Sequence, residues 1–189
     1  WSGQIEWIIR VINNLSDSCL QSGNVARAPA QEACLADDLA AAMVTDPPYY
    51  DNISYADLSD FFYVWLKRTL GELYPEHLSA DQTPKKQEAT ATPHRHDGNH
   101  ELARTHYLRI MTAALHEAGR VVKPGGPVVV VYAHKTVAGW STAVDSLRNA
   151  GCMVTEAWPL RTESDARLNA RDTAALATSI FLVARKRTQ

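Results

Sequence analysis

Apolar residues recur along this chain at two spacings, and the alternation between them sets the expected elements. Ile5, Ile8, Ile9, Ile12 and Leu15 fall three and four positions apart, which predicts an amphipathic helix over residues 4–16. Residues 24–28, NVARA, read as a short strand. AAMVT at 41–45 reads as another, because the run is short and Asp46, Pro47 and Pro48 stop it. Ser54 followed by Asp57 has the form of a capping box. Beyond it Leu58, Phe61, Phe62, Trp65, Leu66 and Leu70 mark one face of a helix reaching about Leu73, with Tyr55, Phe61, Phe62 and Trp65 as candidate core residues.

Periodicity then lapses. Residues 74–100 fill with Pro, Thr, Gln, His, Asp and Lys and predict a mobile insertion. Leu102, Tyr107, Ile110, Met111, Leu115 and Ala118 restore a helix that Gly119 is expected to close. RVVKPGG is turn chemistry, and it leads into PVVVVYAH, whose unbroken apolar run suits a strand covered on both faces. Trp140, Val144 and Leu147 predict a helix with Gly151 at its C-terminal cap. CMVTEAWPL at 152–160 and SIFLVARKR at 179–187 read as the last two strands. The order implies an α/β fold with a mostly parallel sheet, and the final two strands as an antiparallel pair at one edge. No internal repeat is present.

Composition narrows this little. At 189 residues and 46% apolar content the chain can bury one core, so a single domain or a large part of one is expected. The longest apolar run, PVVVVYA at 127–133, is far short of the roughly 20 residues of a spanning helix. No basic-then-apolar leader is visible. Cys19, Cys34 and Cys152 are odd in number and widely spaced, which fits a reduced cytoplasmic setting rather than a disulfide framework. Trp1 in place of an initiating methionine suggests that an upstream segment has been removed. Net charge is only -2. Residues 1–60 hold two basic and nine acidic groups while residues 121–189 hold nine and five, so any polyanion would be met toward the C-terminal third.

The chemistry concentrates where AAMVT ends. Ligands of open α/β sheets sit beyond the carboxyl ends of strands, and Asp46, Pro47, Pro48 and Tyr49 occupy such an end. A carboxylate and the carbonyl of Pro47, held by rigid neighbours, make two convergent acceptors suited to an NH2 group. Tyr49 offers a flat face for a planar ring. The amine of adenine or cytosine is a poor nucleophile because its lone pair is delocalised into the ring. Acceptors on both its protons favour a tetrahedral nitrogen, which points to transfer of an electrophilic carbon to that nitrogen.

Asp-Pro-Pro-Tyr at a strand end resembles the signature of amino-group methyltransferases that use S-adenosylmethionine. More narrowly, TDPPYYDNISYADLSDFFYVWLKR, the YAHKT and AGW segments, TEAWPLRTESDAR and AALATSIFLVARKR resemble the C-terminal half of large adenine-specific DNA methylases of bacteria and archaea, some linked to phage defence. The similarity spans roughly residues 24–187. It implies a Rossmann-like sheet, S-adenosylmethionine as cofactor, DNA as partner, and catalytic roles for Asp46, Pro47, Pro48 and Tyr49. In that family a glycine-rich loop after the first strand grips the cofactor, and this chain contains no GxG. The first strands and that loop are therefore expected to be missing, with the N-terminal half of the domain as partner, weak or absent cofactor binding by the chain alone, and strand 41–45 left as an exposed edge.

Further candidates line the same expected rim. Tyr50 and Asp51 follow the motif, His134 and Lys135 end the strand of 127–134, and Arg161, Glu163 and Arg167 follow the next strand, where they can meet phosphate or a target base. Lys85 and Lys86 can touch a nucleic-acid backbone. His94, His96, His100 and His106 have neither cysteine nor metal-ligand spacing, so no metal is expected. Alternative acceptors are N4 of cytosine, an RNA base or a protein glutamine, and an alternative of another class is a non-catalytic nucleic-acid-binding or partner subunit.

Overall fold

The computed structural model describes residues 2–16, 23–24, 26–162 and 178–187. Its elements are α1 (Ser2–Ser16), β1 (Met43–Thr45), α2 (Tyr55–Leu70), α3 (Pro75–Leu78), a 3-10 turn (Pro93–His96), α4 (His100–Val121), β2 (Val128–Tyr132), α5 (Val137–Asn149), β3 (Cys152–Arg161) and β4 (Thr178–Lys186). Residues 26–29 carry no strand, so the expected strand at 24–28 is not formed there. No helix among the described residues is long and apolar enough to cross a membrane.

The four strands form one sheet in the order β1-β2-β4-β3. β1 pairs parallel with β2, Val44 opposite Val129, and β4 runs antiparallel to both β2 and β3. The chain is thus α/β with a mixed sheet, and two expectations change. Only one of the three pairings is parallel, and the reversed strand is not the edge. β4 inserts between β2 and β3, which leaves β3 outermost and pointing the same way as β1 and β2. An inner place suits SIFLVARK, which buries Leu182, Val183 and Ala184, whereas β3 buries only Cys152 and carries Pro159, a residue that sheets tolerate at edges.

The core lies on one face. Val128 and Val130 of β2, Leu182 and Ala184 of β4 and Cys152 pack beneath Tyr107, Ile110, Met111, Leu115 and Ala118 of α4 and Leu147 of α5. The other face of β2, Val129 and Val131, is half-buried, so coverage of both faces is incomplete. α4 does not stop at Gly119. It runs on to Val121, because Gly119 faces the Cys152 thiol and a Cβ there would lie in ordinary contact, 3.7 Å from the sulfur. At its other end the Asn99 side chain accepts from the amides of Glu101 and Leu102, a cap that satisfies two free donors. The Lys-Pro-Gly-Gly turn into β2 places Gly125 at φ 78, a left-handed conformation open to glycine.

Two further expectations are corrected. The 74–100 segment, expected as a mobile insertion, is built into the fold. Ala89, Thr90, Ala91 and Thr92 are buried, Ala91 N–H donates to the Tyr50 carbonyl (2.9 Å), and Arg95 bridges Asp57 and Glu88 (both 2.7 Å). Asp60 accepts from Lys85 (2.5 Å) and from Thr83 N–H (3.0 Å). Hydrogen bonds and ion pairs secure this segment instead of an apolar stripe, which is why no periodicity marked it. The capping box at Ser54 is also not formed. Ser54 meets the Thr92 hydroxyl, Asp57 meets Arg95, and Glu88 accepts from Ala56 N–H (3.1 Å), so the inserted segment caps α2 with a carboxylate at its positive end.

Candidate functional site

Because β1, β2 and β3 point the same way, their carboxyl ends and the start of β4 share one edge of the sheet. That edge gathers the loop of residues 46–51, His134 and Lys135 beyond β2, Arg161 at the end of β3 and Ser179 at the start of β4. The strand ends set these groups along one edge, where ligand sites of open sheets lie; His134 touches the 46–51 loop through Asp51, while Arg161 stands two strands beyond β2. Arg167 and Glu163 lie outside the described residues.

Within the 46–51 loop the Pro48, Tyr49 and Tyr50 carbonyls, the Tyr49 hydroxyl and one oxygen of Asp51 have partners. Tyr49 donates its hydroxyl to Asp46 Oδ1 (2.6 Å) and sets its ring edge-on to Tyr132, centroids 5.2 Å apart. Burial first, then the neighbouring Asp46 carboxylate, pushes the Tyr49 phenol far above its ordinary value, so it acts as a donor. Tyr107 donates to the Pro48 carbonyl (2.8 Å). Tyr50 adopts φ 48, sparsely populated for a non-glycine residue, and packs edge-on against Tyr107 and His134. Asp46 itself is exposed. Among the described residues its second carboxylate oxygen and the Pro47 carbonyl meet no donor. These are the two acceptors that the sequence pairs.

Beside them opens a cavity of about 880 Å³, within the range of small-molecule sites. Thr45, Asp46, Pro47 and Pro48 line it on the strand side, and Ile110, Met111 and Leu115 on the α4 side. Its outer wall comes from residues 27–33, which Arg120 fastens to α4 through Glu117, Asp37 and the carbonyls of Ala33 and Leu35. Arg27, also on this wall, donates to His77 Nδ1 (3.1 Å).

His134 is almost wholly enclosed. Its Nε2 meets Asp51 Oδ1 at 3.0 Å, while Thr136 presents its amide (3.1 Å) and hydroxyl (3.0 Å) to Nδ1. The Trp140 indole donates to the His134 carbonyl (2.9 Å). A Cβ at Gly139 would stand 2.1 Å from Nδ1, so only glycine lets the ring lie against α5. Burial raises the Tyr132 phenol well above its usual value, and its hydroxyl donates to the Gly139 carbonyl (3.2 Å). Sequence reasoning missed Tyr107, Tyr132, Thr136, Gly139 and Trp140 as supports of the site. The HKTVAGW spacing carried a usable signal, since a hydroxyl two residues after a histidine begins the helix that holds the glycine.

Lys85 belongs to the Asp60 pair and Lys86 is exposed away from this rim's hydrogen bonds. His96 and His106 pair ring to ring at 5.1 Å, and among the described residues no three His, Cys, Asp or Glu side chains gather as metal ligands. No family model matches the chain, and no curated protein matches it in sequence.

Proposed function

We propose that the chain is the acceptor-binding part of a Rossmann-like, S-adenosylmethionine-dependent methyltransferase that acts on the exocyclic amine of a nucleobase, foremost N6 of adenine in DNA. The observation that carries the reading is the pair of open acceptors: a free oxygen of Asp46 and the Pro47 carbonyl, next to Pro48, Tyr49 and Tyr50 carbonyls that already accept hydrogen bonds. An NH2 group donating to both has its lone pair turned out of the ring plane and available to an incoming carbon. Asp46 and Pro47 orient the amine, Pro48 fixes the backbone between them and the Tyr107 bond, and Tyr49 holds one Asp46 oxygen so that the other faces outward. The base reaches such a site unpaired and extruded.

The described residues make one side of a cofactor site only. The cavity has room and an apolar wall, but Arg27 on that wall is engaged with His77, and no glycine-rich loop offers amides to a carboxylate. S-adenosylmethionine would supply the methyl group, gripped chiefly by a second half of the domain. Support for that half comes from β1, a three-residue edge strand with Val44 67% exposed, and from the uncovered apolar residues of α1 and α2. The same features favour a second reading, a non-catalytic subunit that completes its sheet with a partner. A cytoplasmic setting accords with Cys34 and Cys152, both unpaired thiols.

Combining the chain with a polypeptide that carries the strand and glycine-rich loop, and following labelled methyl groups onto DNA, RNA and protein, tests this. Label at N6 of adenine in DNA is expected. Label in cytosine, RNA or protein would move the acceptor, and no label in any of them would leave the non-catalytic reading.

A further inference from the structure

We propose that Asp51 and His134 form a latch that locks the 46–51 loop to the turn after β2, making both positioning residues for the Asp46 and Pro47 acceptors; the role of those acceptors rests on the reading above, the latch itself on geometry. Thr136 N–H can donate only to an unprotonated Nδ1, so the ring proton resides on Nε2 and is donated to Asp51. The Thr136 hydroxyl accepts from Gly139 N–H (3.2 Å) and so turns its own proton to Nδ1. Both ring nitrogens are thereby committed inside the protein, which rules the imidazole out as a base toward a ligand and leaves it a mechanical part.

The two partners differ in a way that suits a latch. The His134 side chain is 3% exposed and caged by Gly139, Tyr132 and Trp140, whereas Asp51 is 52% exposed at the loop's end. The fixed post is thus on the sheet and the movable hook is on the loop. Between hook and acceptors lies Tyr50, whose unfavourable φ needs tethers on both sides. Tyr107 holds Pro48 on one side, Ala91 N–H holds the Tyr50 carbonyl, and Asp51 holds the other side. Releasing Asp51 removes one of these three tethers and loosens the loop that carries the acceptors.

Three variants of the chain test this by nitrogen-proton NMR of the imidazole and by amide hydrogen exchange. The wild type is expected to show a slowly exchanging Nε2–H that disappears in His134→Asn. Asp51→Ala should lose that signal and raise exchange of the Asn52 and Ala91 amides, which donate to the Tyr49 and Tyr50 carbonyls, by about tenfold to a hundredfold, with β2 and α4 unchanged. Asp51→Asn, whose amide oxygen still accepts, should restore both. An Nδ1–H ring, or unchanged exchange of the Asn52 and Ala91 amides in Asp51→Ala, would overturn the latch. Neither readout involves methyl transfer, so failure of the acceptor reading, seen as methylation that ignores Asp46, remains a separate result.

Discussion

Helices α2 and α4 carry apolar stripes of the same spacing and treat them in opposite ways. α4 turns Tyr107, Ile110, Met111 and Leu115 onto the sheet and buries them. α2 leaves Leu58, Phe61, Phe62 and Trp65 more than half exposed and buries only Ala56 and Tyr63, from another side. The expectation that Tyr55, Phe61, Phe62 and Trp65 form core is therefore wrong within this chain, since all four are half or more exposed. The difference teaches that a stripe at helical spacing announces a surface that wants covering, while the identity of the cover is set by elements far away in sequence. A stripe this size, left open together with that of α1, is the surface that the proposed second half of the domain would cover.

Substitutions at matched positions sharpen that comparison. Leu147 is fully buried under α4, so Leu147→Ala should destabilise the chain by about 2–5 kcal/mol in a denaturant titration. Tyr107→Phe keeps the packed ring but leaves the Pro48 carbonyl without its donor. A loss of about 1–2 kcal/mol is expected, with faster amide exchange concentrated at 46–51.

A pH experiment asks whether the covered flank of α2 is held as described. The hydrogen bond from Lys85 first, and those from Thr83 next, lower the Asp60 carboxyl from 3.8 to about 2. A depressed carboxyl stabilises while ionised, so the docking of residues 83–85 on α2 should be complete above pH 3.8 and be lost as pH falls through about 2. Amide exchange at Thr83 and Lys85 followed across that window checks it, and release already complete near pH 4 would contradict the pairing. The smallest effect belongs to the open stripe. Phe61→Ala should change the stability of the isolated chain by less than about 0.5 kcal/mol. A cost near that of Leu147→Ala would mean that α2 is covered after all.

Helices and strands were legible where local pattern decides them: α4, α5, β2 and the final pair followed from periodicity and turn residues. Strand order was not legible, because the insertion of β4 between β2 and β3 is a choice among distant pairings that no local window records. The 74–100 segment was misread for a related reason. Its anchors, Glu88 on α2, Arg95 on Asp57 and Lys85 on Asp60, are single polar contacts across tens of residues, and such contacts leave no period. At the rim, Asp46 through Asp51, His134, Lys135 and Arg161 lie along one edge of the sheet because each follows or closes a strand whose apolar run was visible in the sequence. The pairing of Asp51 with His134, and the tethering of Pro48 by Tyr107, needed coordinates.

In the proposed function Asp46 and the Pro47 carbonyl grip an amine so that its nitrogen can accept a methyl group. Methyl transfer to N6 of adenine in DNA by the chain combined with the proposed second half of the domain, with Asp46→Ala in place, measures it. A fall of at least about a hundredfold in turnover is expected, with the fold intact by hydrogen exchange. Turnover within a few-fold of the unsubstituted enzyme would contradict it.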